Sequence, residues 1–209
     1  MHWIFSAMIA AAIVALRFFG VPYRLALVGL AIGVAGLAIS GLWQIKQSPA
    51  FALALIPLAV SMVFVIKGVR VPPVADVTTR LAPVMEFTPQ TAEASENPMA
   101  MSEIARQAHH GAYQDLRTLN LSQDPSAQIE QFAESQGWIP VMSSPERMQF
   151  EVHSTLLGFV DDVVIEIRAD GAGWQVDARS RSRVGVSDLG ANAARLRALW
   201  SQLSSLTKT

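Results

Sequence analysis

Gly158-Phe159-Val160-Asp161-Asp162-Val163-Val164-Ile165, then Val176-Asp177-Ala178-Arg179-Ser180-Arg181-Ser182-Arg183-Val184-Gly185, then Ser187-Asp188-Leu189-Gly190-Ala191-Asn192, is the stretch that decides how this chain folds. Val163, Ile165 and Ile167 alternate with Asp162, Val164, Glu166 and Arg168, the period of two of a β-strand. Asp170-Gly171-Ala172-Gly173 is turn chemistry. After it, Trp174, Val176, Ala178, Ser180 and Ser182 share one face, while Gln175, Asp177, Arg179, Arg181 and Arg183 share the other. The pattern predicts a hairpin with one apolar and one charged face. A helix then starts near Ser187 or Asp188, either of which suits an N-cap. Its apolar stripe is Leu189, Ala193, Leu196, Trp200 and Leu203, which must cover a sheet.

Upstream, Met148, Phe150 and Val152 alternate with polar residues and predict a half-buried strand, with Trp138 to Met142 as a shorter one before it. Asp124-Pro125 opens a helix carrying Ile129, Phe132 and Ala133 on one face, and Gly137 stops it. Ser102 to His110 reads as a short helix capped by Ser102 and ended by Gly111. Tyr113 to Leu121 suits a loop and a short edge strand. The expected fold class is α+β: an antiparallel sheet of four to five strands with helices on one face.

The first third of the chain differs in kind. Of 209 residues, 51% are hydrophobic, and the excess lies almost wholly before Lys67. Trp3 to Phe19 is apolar apart from Ser6 and Arg17, Leu25 to Trp43 is an uncharged run of 19 residues, and Ala50 to Ile66 is another of 17. A membrane-spanning helix needs about 20 apolar residues, within a range of about 17–25. The expectation is therefore three transmembrane helices in residues 1–70. A Pro-rich linker follows in 71–101, punctuated by Pro72, Pro73, Pro83, Pro89 and Pro98, and an α+β domain in 102–209. Within the second run, Gly29 and Gly33 form a GxxxG pair. Such a pair lets helix backbones approach closely, either between copies of the chain or among its own helices.

Net charge is −1 and cysteine is absent. The first gives no basic excess for nucleic acid. The second leaves no disulfide, thiolate metal site or cysteine nucleophile. His109-His110 are adjacent, where metal ligands on a helix would stand four apart. No metal or other cofactor is expected.

The quoted stretches resemble the DUF1499 family, a family of unknown function. The matching signature runs from Gly158 to Ile165, from Val176 to Gly185 and from Ser187 to Arg195, with weaker matches at Asp76-Val77-Thr78-Thr79, Tyr113, Asp115, Gly137-Trp138 and Glu151. One departure is Val186, where relatives carry a basic residue. The resemblance also bears on orientation. Arg17, Arg24, Lys67 and Arg70 outweigh Lys46, which by the positive-inside rule puts the domain in the cytoplasm. Relatives with three spans, and relatives resembling exported lipoproteins, imply a domain outside it. The expectation adopted is a multi-pass protein of the inner cell membrane with an extracytoplasmic domain.

Two constellations could carry chemistry. Arg179, Arg181 and Arg183 stand at two-residue spacing and could clamp a phosphate or carboxylate. They could equally form a ladder of surface ion pairs with Glu151, Asp162, Glu166 and Asp177. Asp161 and Asp162 are adjacent on a strand, so they point to opposite faces and cannot act together on one surface. The turn into the last helix, with Asp188 and Asn192 beside Arg183, is the remaining candidate ligand position. The functional expectation is a membrane-anchored envelope domain that binds a protein partner or an anionic small molecule, with a homodimer through the second span as a further possibility. The alternative is an enzyme on an anionic or membrane-derived substrate, using Asp161 or Asp162 with Arg179 and Arg183.

Overall fold

The computed structural model describes residues 5–9, 11, 23–44, 71–155 and 157–206. Most of the first apolar run and the whole third run, with Arg17 and Lys46, lie outside the described residues. The chain divides into two compact units, Met1–Arg70 with Thr155–Gly158, and Val71–Ser154 with Phe159–Thr209.

In the first unit, α1 is the 22-residue helix Tyr23–Gln44. Its described side chains are those at 28, 29 and 31–40. Among the described residues no helix is long and apolar enough to cross a membrane. A Cβ placed on Gly33 would stand 2.7 Å from Ile9 Cγ1, and one on Gly36 2.1 Å from the Phe5 ring. The small-residue face of α1 is thus filled by residues 5–9 of the same chain.

The second unit is a mixed α+β domain. Its strands are β1 (Asp76–Thr78), β2 (Leu119–Leu121), β3 (Ile139–Ser144), β4 (Arg147–His153), β5 (Val160–Asp170) and β6 (Gly173–Ser182). They form one antiparallel sheet in the order β1-β6-β5-β4-β3, with β2 also pairing β6. Six strands replace the four to five expected, because the short extended piece at Asp76-Val77-Thr78-Thr79, within the segment read as linker, joins the sheet as β1. The β5–β6 hairpin closes on Asp170 opposite Gly173, as the turn residues dictate. Gly173 also lets β2 approach, since a Cβ there would meet the Leu121 carbonyl oxygen at 2.7 Å. β3 is an edge strand whose bulge falls between Pro140 and Met142, so Ile139 and Val141 remain exposed.

Helices α3 (Glu103–His110), α4 (Ser126–Ser135) and α5 (Ala191–Leu203) pack with one face of the sheet. Ser102 caps α3 by accepting from the Ala105 N–H, at 3.2 Å. Asp124 accepts from the Ser126 N–H at the start of α4, at 2.9 Å. Ala193, Leu196, Leu199 and Leu203 of α5 are fully buried with Ile129, Val163, Ile165 and Val176.

Two expectations need correction on the other face. The linker is not a tether, and the sheet is not covered on one face only. Residues 71–100 form a strap across the sheet. Val77 pairs with Ser180, Met85 is 1% exposed, and Phe87 packs with Met85 and Val164 in a second small core. The short helix α2 (Pro89–Glu93) places Thr91 on the strand residue Gln149. Gln149 is itself fully buried: it donates to Thr91 Oγ1 at 2.6 Å and accepts from the Thr88 N–H at 3.0 Å. Polar, proline-rich composition suggested that this segment could not offset its conformational entropy. It does so by bonding to polar groups on the strands rather than by burying apolar surface alone.

Met85→Ala tests the strap directly. Loss of a fully buried Met should lower unfolding free energy by about 2–5 kcal/mol, read as a reduced denaturant midpoint. A mobile linker would give no change.

Candidate functional site

The alternation of β6 puts Asp177, Arg179, Arg181 and Arg183 on the strap face, where the strap closes over the first three. Arg179 and Arg181 are 2% and 1% exposed. Solvated surface pairing, as the sequence allowed, does not describe them.

Arg179 is held on every side. Its Nε and Nη2 donate to the two Asp76 carboxylate oxygens at 2.9 and 2.7 Å, a bidentate pair supplied by the strap's own strand. Nη1 donates to the Met85 carbonyl at 2.5 Å and Nη2 to that of Met99 at 2.8 Å, and the Phe87 ring lies 5.1 Å from the guanidinium. Arg183 donates from Nε and Nη2 to Asp162 at 2.9 and 2.7 Å and from Nη2 to Glu151. The hydrogen bonds with Asp162 hold the guanidinium above its ordinary pKa, against burial. The hydrogen bond from Arg183 holds the Glu151 carboxyl down, while burial pushes that of Asp162 up. At the far end of the face, Asp177 accepts from Thr118 Oγ1 at 2.6 Å, Arg168 Nη2 at 2.5 Å and Thr79 Oγ1 at 3.1 Å, with Arg80 Nη1 at 3.0 Å. Burial works against its charge, but these donors prevail and leave its carboxyl below the ordinary value.

Arg181 differs. Its Nη2 donates to Ser95 Oγ at 3.0 Å and to the carbonyls of Asn97 and, at 2.9 Å, Pro98. Its Nη1 meets only Met99 Sδ, at 3.4 Å. Among the described residues no carboxylate forms an ion pair with it, and neither Nε nor Nη1 has an oxygen acceptor. Burial lowers its pKa, yet a guanidinium keeps its proton in proteins. Arg181 also lines an apolar-walled recess of about 270 Å³, with Pro73, Asp76, Pro98, Ile104 and Val186 among the walls.

Asp161 belongs to the opposite face. It accepts from Arg195 Nη2 at 2.7 Å, and Arg195 Nη1 donates to Ser180 Oγ and Asn192 Oδ1 at 2.7 and 2.5 Å. Asn192, fully buried, donates from Nδ2 to Ser182 Oγ and the Ala75 carbonyl at 3.1 and 3.2 Å. The N-cap position of α5 is Gly190 rather than Ser187 or Asp188, but Asp188 serves the first turn from two residues upstream. Its carboxylate oxygens accept from the Gly190 and Asn192 N–H groups at 2.8 and 2.5 Å, while Leu189 and Gly190 turn through positive φ. Burial pushes the Asp188 carboxyl up, against those two bonds. The residues singled out from sequence therefore form two groups on opposite sheet faces, not one site. Arg179, Arg183, Asp161, Asp162, Asp188 and Asn192 each hold an internal ionic or hydrogen-bonding partner, and among the described residues Nε and Nη1 of Arg181 and Nη1 of Arg183 have no oxygen acceptor.

His109 is also structural. Its Nε2 accepts the Thr78 N–H at 3.0 Å, and burial lowers its pKa. Among the described residues no group of three or more His, Cys, Asp or Glu side chains could hold a metal ion.

Asp76 and Arg195 both stand in the quoted stretches, but the pairing of Asp76 with Arg179 and of Arg195 with Asp161 was not assigned from sequence. Asp76 was hidden in the supposed linker, and Arg195 lies off the apolar stripe, pointing at Asp161 from the helix start.

Asp76→Asn should cost about 3–5 kcal/mol, the penalty for stranding the buried charge of Arg179, and Asp76→Leu with Arg179→Met should recover much of it. A cost below about 1 kcal/mol would mean an exposed pair. Acid dependence gives a second measurement. Because the Asp177 carboxyl is lowered in the fold, its contribution is present above the ordinary value of 3.8 and is lost as pH falls through the folded value. The denaturant midpoint should drop below pH 3.8, and Asp177→Asn, less stable at neutral pH, should flatten that drop.

The sequence profile of the family described as "Protein of unknown function (DUF1499)" matches residues 82–203. A search among curated proteins finds no match. The profile takes in the strap from Ala82 onward, β2 to β6 and all of α5, and the chain belongs to the DUF1499 family.

Proposed function

We propose that this is a membrane-anchored protein of the cell envelope whose α+β domain binds an anionic ligand in the recess at Arg181. One observation carries the binding reading: the buried Arg181, which among the described residues has no hydrogen-bonded carboxylate, lines an open recess, while Arg179 and Arg183 beside it each hold one. Asp76 and Asp162 act on that charge through space without bonding it, and a ligand carboxylate would add a directly hydrogen-bonded partner. The anchor reading rests on the three apolar runs at Trp3–Phe19, Leu25–Trp43 and Ala50–Ile66. The extracytoplasmic placement rests on the family resemblance. A homodimer through α1 would need a face other than that of Gly33, which residues 5–9 occupy.

The catalytic alternative has less support. Asp161 and Asp162 diverge to opposite sheet faces, and the one carboxylate among them that meets Arg183 is saturated by it.

The full chain should remain in the membrane pellet after alkaline carbonate extraction, and protease added to intact spheroplasts should remove its domain. Release by carbonate would overturn the anchor, and a protected domain would overturn the orientation. For binding, acetate at constant ionic strength should raise the melting temperature of the detergent-solubilised full chain. The Arg181→Gln variant should show no such rise. An equal rise in both would remove Arg181 from the reading.

A further inference from the structure

The walls of the Arg181 recess say more about its occupant than the charge does. We infer that the ligand is an aliphatic monocarboxylate, its head on Arg181 and its chain against the recess walls; this rests on the binding proposed above. The recess lies between four pieces of chain. They are the approach to β1 (Pro73 to Asp76), the end of the strap (Asn97, Pro98, Ala100), the start of α3 (Ser102, Ile104, Ala105) and the loop after β6 (Gly185, Val186). Proline, alanine, valine and isoleucine dominate it, and the polar groups present are largely spent. Ser102 Oγ caps α3, and Asn97 Nδ2 donates to the Ser182 and Gly185 carbonyls at 2.8 Å each. Arg181 is therefore the single strong recognition group, and an apolar chain is what the remaining surface can accept.

Two features set the size of the head group. The recess offers one guanidinium without an ion pair, so one negative charge is balanced. A second would face the Asp76 carboxylate, which lines the same recess. Phosphate, which at neutral pH is a mixture of singly and doubly charged forms, fits less well than a carboxylate.

The mouth carries two apolar side chains with nothing over them. Val186 is 83% exposed and Ile104 58% exposed. Both border the recess, where a bound chain would cover them. A hydrophobic rim around one buried cation is the arrangement an amphiphilic anion requires, since the chain supplies affinity and the head supplies orientation.

The full chain in lipid nanodiscs, titrated calorimetrically with acetate, hexanoate, hexanol and inorganic phosphate, separates the parts of this inference. Hexanoate should bind at least tenfold more tightly than acetate, because its extra methylenes leave water. Hexanol and phosphate should each bind more weakly than hexanoate. Arg181→Met should remove the preference for hexanoate over hexanol. Since that substitution also strips hydrogen bonds from the strap, Val186→Asp serves as the second variant. It lies on an exposed loop position that the fold does not depend on, and should weaken hexanoate at least tenfold without moving the melting temperature. Acetate and hexanoate binding equally, both through Arg181, would overturn the aliphatic chain and leave the anion site standing. Phosphate outranking hexanoate would overturn the monocarboxylate in the same way. No binding of any carboxylate, or hexanoate binding unchanged in both variants, would overturn the site itself and the inference with it.

Discussion

Three guanidinium groups in a row on one strand face, closed under a strap of chain, are the constraint on which the domain depends. Arg179, Arg181 and Arg183 stand two residues apart on β6 and its immediate end, β6 being the strand that pairs with three others. Positive charges so placed repel one another and lose hydration when covered. The strap answers this with backbone carbonyls from Met85, Asn97, Pro98 and Met99, with Asp76, and with the Phe87 ring, while β4 and β5 contribute Glu151 and Asp162. Carbonyls suit the task, because a loop that pairs with no neighbouring strand has them to spare. The result is a polar layer under the strap where the other sheet face has an apolar core.

This division explains why the two faces tolerate such different sequences. The helix face uses volume: Leu196, Leu199, Leu203, Ile165 and Val176 fill space and could be exchanged for residues of similar size. The strap face uses geometry. Arg179 engages Asp76 through two parallel hydrogen bonds, and a lysine could not reproduce that fork. The dense charge of the signature, which first suggests a mechanism, is mostly the means by which a proline-rich segment is held on a sheet.

How much of this could be read from the residues differs by element. The β5–β6 hairpin, its turn at Asp170–Gly173, α3 with its Ser102 cap and, from the expected α5 stripe, Ala193, Leu196 and Leu203 followed from periodicity and capping chemistry, which are local; Leu199 is buried where Trp200 was expected, and Leu189 precedes the helix. The opposite pointing of Asp161 and Asp162 followed from the pleat. The strap did not. Its polar, proline-broken composition resembles a disordered tether, and what orders it is long-range: Asp76 meets Arg179, and Thr88 and Thr91 meet Gln149. A window along the sequence cannot see those partners. The same blindness made the arginine row read as exposed, since a strand face looks solvated until its cover is known. For the candidate site, the sequence singled out the three arginines together. Only their partners distinguish Arg181 from the two beside it.

The central claim is that the strap is part of the fold and leaves Arg181 as the one guanidinium of the row with no hydrogen-bonded carboxylate among the described residues. Hydrogen–deuterium exchange on the full chain tests it most directly, read at the amides of Val77, Thr79 and Thr88. The Thr79 N–H is bonded to the Ala178 carbonyl and the Thr88 N–H to Gln149, and Val77 is paired with Ser180. The account predicts protection at these positions comparable to that of the β5–β6 hairpin. Exchange at the rate of unstructured chain would contradict it.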